Sequence, residues 1–579
     1  MLLSSKYFVM VLSKKRIAII GGGPAGLFLF KSLLDSGNED IEIDIFEKGN
    51  KLGAGMPYSS CGANNEHITN VSENEIPALA TSIADWVKTA PEAILKQFNI
   101  DPDNFNPFKV LPRLFFGSYL SAQFDILLAR AKAEKITTNV HFACEVEDII
   151  DKPVLDETWV SIPQLGMLKF DTVVVCTGHK WPMVHEGKVP GYFDAPYPPA
   201  KLNLHLNHEV AIRGSSLTAI DAIRTIARNN GTFIKNEDKS LIYEPFEHSP
   251  NFKIIMHSRN GMLPAVRFHL EDSHLSNNAL LSEEEITIHI KQNNGFLSLD
   301  YVFEKDFKDI FRDKDPDFYA KIREMNIEDF VPAMMELRER LDPFLLLEAE
   351  YEQAAKSIKR KETIYWKEML GVLSFAMNYP AKYLSAEDMQ RLQNTLIPLI
   401  SIVIAYVPQS SCEELLALHK AAVLEMISVG DDSEVTPEYE KGGATYHYTN
   451  DAGEKESTYY QTFIDCIGQP HLSYAQFPFK SMLANKTISA ARIRFKSEEQ
   501  GRMAFESGNE KVEQGTDGAY YLKVSGIAIN DSFQVLDQYG AYSERIYIMA
   551  VPYIGGLNPD YSGLDFCEEA AKRIVKSLF

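Results

Sequence analysis

The sequence predicts an α/β fold in which two Rossmann-like units accompany a helical insertion. Three observations lead to this fold class. A glycine-rich turn at residues 21–26 separates an apolar strand from a helix. A second strand–turn–helix begins at Val210, with its glycine at Gly214. From about 270 to 430, amphipathic helical patterns replace the strands.

The first unit runs from a strand at 16–20, through the glycine turn, to a helix at 27–34 and a second strand at 41–46. A β–turn–α–β unit of about 35 residues is the size that dinucleotide binding requires. The turn reads Gly-Gly-Gly-Pro-Ala-Gly, and an acid, Glu47, follows the second strand. The sequence therefore predicts a dinucleotide site at this turn.

Each glycine of this turn has a separate task. Gly21 permits the tight turn, Gly23 lets a pyrophosphate approach the amides of the helix N-terminus, and Gly26 lets the helix pack on the strand. Glu47 is placed to accept hydrogen bonds from ribose hydroxyls. A glutamate here favours a ribose without a 2′-phosphate, as in FAD or NAD.

Two later segments favour FAD over NAD. Residues 171–178 form a strand that ends in a small-residue turn, and glycines at 555–556 and 563 precede a helix at 564–578. The N-terminal amides of that helix would face the pyrimidine part of a flavin. The residues predicted to bind FAD are Gly21, Gly23, Pro24, Ala25, Gly26, Glu47, Lys48, Thr177, Gly178, Gly556, Gly563, Leu564 and Asp565. Arg113 is a further predicted cofactor-binding residue, which could bind a carboxylate or a phosphate.

The second turn departs from the glycine pattern at one position. Gly214 and Ala219 suit the first and third tasks, but Ser216 stands where the middle glycine belongs. Its Cβ narrows the room for a pyrophosphate, although its N–H and hydroxyl can still donate hydrogen bonds. Binding of a dinucleotide at this turn could therefore be weakened, shifted or lost.

The strand after this turn predicts which nucleotide binds. It ends at Ser258 and Arg259, where the adenosine ribose is recognised. Serine and arginine suit a 2′-phosphate, which favours NADPH over NADH. The alternative is that Arg259 is a plain surface arginine. The residues predicted to bind NADPH are Gly214, Ser215, Ser216, Ser258 and Arg259.

The helical insertion is interpreted as a substrate lid or as a surface that recruits a partner. Within it, Met334, Leu337, Leu341 and Leu345 recur at helical spacing, and Pro343 is expected to kink or divide the segment. The expected division of the chain is an N-terminal extension at 1–13, a discontinuous FAD-binding domain at 14–205 and 455–579, an NAD(P)H-binding domain at 206–270 and 430–454, and the helical insertion at 271–429.

Charge, apolar runs and cysteines exclude several classes of protein. The net charge of −22 argues against a nucleic-acid partner. The longest apolar run, 396–407, is shorter than the about 20 residues that span a bilayer. The six cysteines form no CxxC or CxxxxC pair, which argues against electron transfer through a local dithiol. Scattered cysteines are typical of a cytoplasmic protein. No metal site is expected, and the oligomeric state is left open.

Several motifs together resemble the bacterial FAD-NAD(P)-binding family, related to flavin-containing monooxygenases and amino-acid N-hydroxylases. The matching positions cover much of 14–265 and, more loosely, 430–579. Besides the two turns, they lie at residues 53–59, 67–71, 85–86, 112–113, 117–120 and 258–264. Residues 171–182 resemble the "ATG" segment of the monooxygenases, with Cys176 in place of alanine and His179 in place of tyrosine.

The resemblance implies an FAD-dependent oxidoreductase. More specifically, it implies an NADPH-dependent monooxygenase that uses O2, through a peroxyflavin, to oxidise a small molecule such as an amine. The alternatives are a flavin dehydrogenase or reductase without oxygen transfer, and a non-catalytic flavin-binding interaction protein. Tyr58, His67 and Asn70 are the candidate catalytic residues because the loop 53–70 is expected beside the flavin, with packing or turn contacts as the alternative. A salt bridge to a nearby acid is the alternative for Arg113.

Overall fold

The computed structural model describes residues 14–238, 240–271, 280–450, 452–469, 471–558 and 562–579. Two mainly parallel sheets form the centre of the molecule. The predicted fold class, two Rossmann-like units with a helical insertion, is confirmed.

The first sheet has six strands, of which the edge strand β21 (Gln534–Leu536) is antiparallel to its neighbour and the others are parallel. From this edge the strands follow in the spatial order β22 (Tyr542–Ile548), β7 (Thr172–Val175), β1 (Lys15–Ile20), β2 (Ile41–Phe46) and β3 (Thr137–His141). The central strands are almost wholly buried, which is why they read as continuous apolar runs. The helices of this unit are α1 (Pro24–Asp35), α2 (Ile83–Trp86), α3 (Glu92–Phe98), α4 (Arg113–Ala133) and, at the end of the chain, α18 (Gly563–Leu578).

The second sheet has five parallel strands. In spatial order they are β13 (Leu424–Ser428), β12 (Lys253–Ser258), β9 (Glu209–Arg213), β17 (Thr462–Asp465) and β8 (Tyr192–Phe193). Its helices are α5 (Leu217–Asn230) and α15 (Gln409–Lys420), which pack on each other. The polar segment after α5 forms a hairpin, β10 (Gly231–Lys235) with β11 (Leu241–Pro245).

Each unit also carries a three-stranded antiparallel meander. The first is β4 (Asp148–Lys152), β5 (Glu157–Ile162) and β6 (Gly166–Phe170), and the second is β14 (Glu434–Pro437), β15 (Ala444–Thr449) and β16 (Lys455–Tyr460). A further small sheet and two helices precede the last strands of the first unit: β18 (Ala490–Arg494), β19 (Val512–Gln514), β20 (Tyr520–Ile527), α16 (Lys480–Ala484) and α17 (Glu498–Glu506).

The chain just before the helices of the insertion pairs briefly with the chain where those helices end. The amide of Ala265 donates to the carbonyl of Ile402, and that of Val407 donates to Ala265, both over 2.9 Å. The helices of the insertion are α6 (Glu283–Gln292), α7 (Leu299–Phe303), α8 (Asp309–Lys314), α9 (Pro316–Ile322), α10 (Ile327–Arg340), α11 (Pro343–Arg360), α12 (Tyr365–Ala376), α13 (Ala386–Arg391) and α14 (Ile397–Val403).

Pro343 divides the helical segment as predicted, because α10 ends at Arg340 and α11 begins at the proline, which needs no backbone donor there. The leucine repeat does not mark the buried face, however. Leu337 and Leu345 are each 65% exposed, while Phe344 and Leu347 are buried. None of the helices in the described ranges is long and apolar enough to cross a membrane.

The division into domains stays a prediction, and the strand pairing departs from its boundaries. β8 and β17 lie in ranges expected for the FAD-binding domain, and β13 lies in the range expected for the insertion, yet all three pair in the second sheet. Parallel strands pair across long stretches of chain, so local sequence patterns do not show which sheet a strand joins.

Candidate functional site: two dinucleotide turns and the contact between them

The first turn has the geometry that its glycines predict. Gly21 has φ +105°, and a Cβ on it would lie 2.8 Å from the carbonyl oxygen of Cys176. A Cβ on Gly26 would collide with the carbonyl oxygen of Gly21, so the close approach of α1 to β1 needs glycine. Pro24 occupies the first turn of α1 and Gly23 caps it without a side chain. The helix N-terminus is left with free amides, a cradle for an anion.

The loop after β2 lies against this turn. A Cβ on Gly23 would come within 3.2 Å of the Cα of Gly55, so glycine faces glycine. The carboxylate of Glu47 accepts hydrogen bonds from the amides of Gly22 at 2.9 Å and Gly49 at 2.6 Å. Glu47 therefore fixes the turn, and a carboxylate has lone pairs left for ribose hydroxyls. Lys48 is exposed beside it.

Two further predicted FAD residues follow β7. Thr177 has a buried hydroxyl with no hydrogen-bond partner among the described residues, and Gly178 is exposed. Buried polar groups normally have partners, so the hydroxyl of Thr177 fits a bound group that the protein alone does not supply.

The start of α18 holds the other predicted FAD residues. Gly563 has φ +78° and is exposed, Leu564 is buried, and Gly556 packs so closely on the backbone of Ser525 that a Cβ would not fit. Burial raises the pKa of Asp565 to about 7, with further contributions from the carboxylates Glu75 and Glu568. This carboxyl group can therefore bind or release a proton near neutral pH.

The second turn repeats the first with side chains added. Gly214 has φ +112°, and a Cβ on it would lie 2.7 Å from the carbonyl oxygen of Cys466. Ser215 donates a hydrogen bond to the carbonyl of Met262 at 2.8 Å and lies 3.1 Å from the hydroxyl of Ser258. Ser216 caps α5 by its backbone alone, and its side chain is exposed.

Arg259 is in the open part of the second site. Its side chain is 75% exposed and lies 3.5 Å from the carboxylate of Asp431, which follows β13. Ser258 is buried and bonded to Asn260 and Ser215. Arg259 is free to turn toward a phosphate, because exposed ion pairs contribute at most about 1 kcal/mol.

Arg113 joins the two units. Its guanidinium lies 2.6 Å from the carboxylate of Asp221 on α5, and its Nε donates to the carbonyl of Ile68 at 3.2 Å. The hydroxyl of Tyr197 also donates to Asp221, at 3.2 Å. Burial opposes the charge of Arg113, but Asp221 and Tyr197 outweigh it and raise the pKa. The structure therefore shows the salt bridge, and a cofactor contact by Arg113 stays a prediction.

His67 is buried in the same contact. Its Nδ1 accepts from the amide of Asn64 at 3.1 Å, so Nε2 carries the proton. Nε2 lies 3.2 Å from the carbonyl of Asp221 and 3.0 Å from the hydroxyl of Thr225. Burial lowers the pKa of His67, which keeps the ring neutral. Both ring nitrogens are engaged, Nδ1 within its own loop and Nε2 with α5 of the other unit, and a catalytic role for His67 stays a prediction.

The other two catalytic candidates also make contacts within the protein. The side-chain amide of Asn70 lies 3.5 Å from the carbonyl of Ala405. The main-chain carbonyl of Asn70 accepts a hydrogen bond from the guanidinium of Arg267. Tyr58 packs edge-on against Phe116 at 4.9 Å between ring centroids. Burial raises the pKa of Tyr58 to about 12, although Arg113 opposes the rise, so its phenol stays protonated.

A repeat at the ends of two strands was not among the features predicted from the sequence. β7 leads into Cys176-Thr-Gly-His179 and β17 leads into Cys466-Ile-Gly-Gln469. The amide of Cys176 donates to Ile20 and that of Cys466 donates to Arg213, both over 2.8 Å. The shared Cys-x-Gly pattern, placed after an apolar strand, was the signal that could have revealed it.

Comparison with known families supports the first unit and the insertion. Residues 18–180 match the FAD-NAD(P)-binding family, and residues 282–404 match the YdhS-like middle domain. The chain therefore carries an FAD-NAD(P)-binding domain, which confirms the resemblance and the predicted FAD and NAD(P) cofactors.

The individual proteins that this chain resembles have low sequence identity to it. The YdhS protein of Escherichia coli strain K12 is 28% identical over 479 residues, which cover 81% of this chain and 86% of that protein. L-lysine 6-monooxygenase from Pseudomonas syringae aligns over 97% of this chain and 98% of its own, with 11% identity and a TM-score of 0.45. The bacillithiol disulfide reductase of Staphylococcus aureus aligns over 98% of both chains, with 12% identity and a TM-score of 0.42. Structural likeness at this level does not distinguish one reaction from another.

Proposed function

We propose that the protein is an FAD-dependent oxidoreductase in which NADPH reduces the flavin and O2 then oxygenates a small molecule, with amines as the first class to test. One observation carries this proposal. The Cys-x-Gly turns of the two units are tied together, because the backbone amide of Lys180 donates to the side chain of Gln469 at 2.9 Å and that side chain donates back to the carbonyl of Lys180 at 2.8 Å. Two dinucleotides bound at these units would meet there.

The chain's own groups would hold the cofactors as follows. The amides at the start of α1 would bind the FAD pyrophosphate, Glu47 the ribose, and the start of α18 the flavin end. Ser258 and Arg259 would bind the 2′-phosphate of NADPH. When bound, the flavin supplies hydride acceptance and reaction with O2, and the protein orients the two ligands and excludes water.

The thiols support direct transfer between the cofactors. All six cysteines are free, and five of them are buried. Burial raises the pKa of Cys176 above its usual value and that of Cys567 to about 12. A thiol relay needs an accessible thiolate, so these groups are poor relays.

Stopped-flow spectroscopy tests the proposal. NADPH should bleach the flavin absorbance of the FAD-loaded protein faster than NADH, and mixing with O2 should restore it. Cys176→Ser and Cys567→Ser should leave both phases unchanged. A protein that NADPH does not reduce, or whose reoxidation requires a disulfide, is not the proposed enzyme. Candidate amines are then screened for incorporation of oxygen from 18O2.

The exposed leucines of the insertion favour a second candidate, a flavin-binding protein that recruits a partner. Leu337, Leu341 and Leu345 are all exposed. Single apolar residues are ordinary on surfaces, and three exposed leucines within nine residues of sequence are the reason to test this segment as a binding face. Under this candidate, Leu337→Ser with Leu345→Ser abolishes association while flavin reduction persists. Under the enzyme proposal alone, the double variant remains unchanged in size-exclusion chromatography.

A further inference from the structure

The second Cys-x-Gly turn occupies the same place in its unit as the first. β17 pairs with β9 as β7 pairs with β1, and each turn begins where the sheet ends. In both units the carbonyl oxygen of the cysteine lies beside the first glycine of the dinucleotide turn. A Cβ built on that glycine would be 2.7–2.8 Å from this oxygen. The turn at 466–469 therefore borders the second dinucleotide site.

The two turns differ in the residue after the cysteine. In the first unit this residue is Thr177, with its hydroxyl enclosed. In the second it is Ile467, which is 62% exposed although the strand before it is largely buried. Its amide is held by the carboxylate of Asp465 at 3.1 Å. An aliphatic side chain is thus fixed by its backbone and presented outward.

The space next to Ile467, around Gly468, is open. Gly468 has φ +93°, and a Cβ on it would meet nothing within 4 Å. Its carbonyl accepts a hydrogen bond from the indole of Trp181 at 3.3 Å. The Lys180–Gln469 pair then holds this turn next to the turn of the first unit. A planar ring placed between the turns would cover the exposed face of Ile467.

We propose that Ile467 is a positioning residue that packs against the nicotinamide ring of the second dinucleotide and holds it toward the flavin. This inference rests on the proposed reduction of the flavin by a nicotinamide nucleotide. Burial of an aliphatic side chain is favourable in proportion to the apolar area covered. The nicotinamide is common to NADPH and NADH, so Ile467 contributes equally to both, whereas Arg259 acts on the 2′-phosphate of NADPH alone.

The test measures nucleotide binding by calorimetry in the FAD-loaded protein. Ile467→Ser should lower the affinity for NADPH and the affinity for NADH by the same factor, about five- to tenfold. It should also reduce any charge-transfer absorbance between nicotinamide and flavin, which a merely structural change would not do selectively. Ile467→Val should restore most of the affinity. Ile242→Ser, on the surface hairpin of the same unit, is the matched control and should change nothing.

The outcomes separate this inference from the proposed function. If Ile467→Ser binds both nucleotides as the parent does, or loses FAD, Ile467 does not hold the nicotinamide. If Ile467→Ser weakens both nucleotides while Arg259→Ala affects neither selectively, the inference stands and the preference for NADPH is wrong. A parent protein that binds neither nucleotide overturns both.

Discussion

The two dinucleotide units follow the same path through the chain but differ in the residues that would face a ligand. Gly21 corresponds to Gly214, and the two lie at similar positive φ against the carbonyl of a cysteine. The positions predicted to meet a ligand have changed instead. Gly23 is replaced by Ser216. The register of the strands places Ser258 where the first unit has Glu47. Backbone sterics keep the shared glycines, while ligand chemistry allows the rest to vary.

The first helices of the two units also differ in what they contact. Position 28 of α1 is Phe28, buried in the core of its own unit. The corresponding residue of α5 is Asp221, which bonds to Arg113 of the other unit. The second unit therefore places a charged group where the first has an aromatic ring. This exchange converts an internal packing position into a contact between units.

The largest expected effect tests this contact. Asp221→Asn leaves the guanidinium of Arg113 buried without a counter-charge, so the free energy of unfolding should fall by about 3 kcal/mol. Glu336→Gln is the control, since Glu336 pairs with Arg340 at 2.8 Å where both side chains are exposed, and it should cost under about 1 kcal/mol. Denaturant unfolding of both variants measures the difference. Equal losses would mean that the Arg113–Asp221 contact has no special part in joining the units.

The next effect tests the middle position of each turn. Gly23→Val adds a side chain against Gly55 and the helix amides, so FAD affinity should fall at least about a hundredfold and the purified protein should be colourless. Ser216→Val should keep its FAD, because it alters only the second turn. Flavin content per chain is read from absorbance. Full flavin occupancy in Gly23→Val would show that the pyrophosphate lies elsewhere.

The third effect concerns the residues that follow the two positions predicted to bind ribose, which are Lys48 after Glu47 and Arg259 after Ser258. Arg259→Ala should weaken NADPH by tenfold to a hundredfold, about 1.5–3 kcal/mol, and leave NADH little changed. Lys48→Ala, the matched change in the first unit, should alter neither nucleotide. Dissociation constants at fixed ionic strength provide the comparison. A similar loss for NADPH and NADH would assign Arg259 to the structure and not to the phosphate.

The smallest effect tests the departure at Ser216. Its side chain is exposed and caps nothing, so Ser216→Gly removes a Cβ without breaking a hydrogen bond in the protein. NADPH should bind about fivefold tighter, near 1 kcal/mol. Ser216→Ala keeps the Cβ and should match the parent. If both changes instead weaken binding by a similar amount, the hydroxyl donates to the phosphate.

The sequence by itself determined the local backbone. The glycine turns, the helices that follow them and the break at Pro343 each depend on residues within a few positions, where sterics decide the conformation. The family match at 18–180 agrees with the prediction made from the first of these turns.

Only the tertiary structure decided which distant segments meet. β13 and β17 join the second sheet through hydrogen bonds to strands far away in the chain. His67 and Arg113, which the sequence suggested for the catalytic and cofactor sites, also contact α5 across the two units. The Cys-x-Gly pattern marks the turn that contains Ile467, but the exposure of its side chain depends on how the turn at the end of β17 is placed. Non-local pairing and burial are properties of the whole chain, so local patterns specify the elements but not their neighbours.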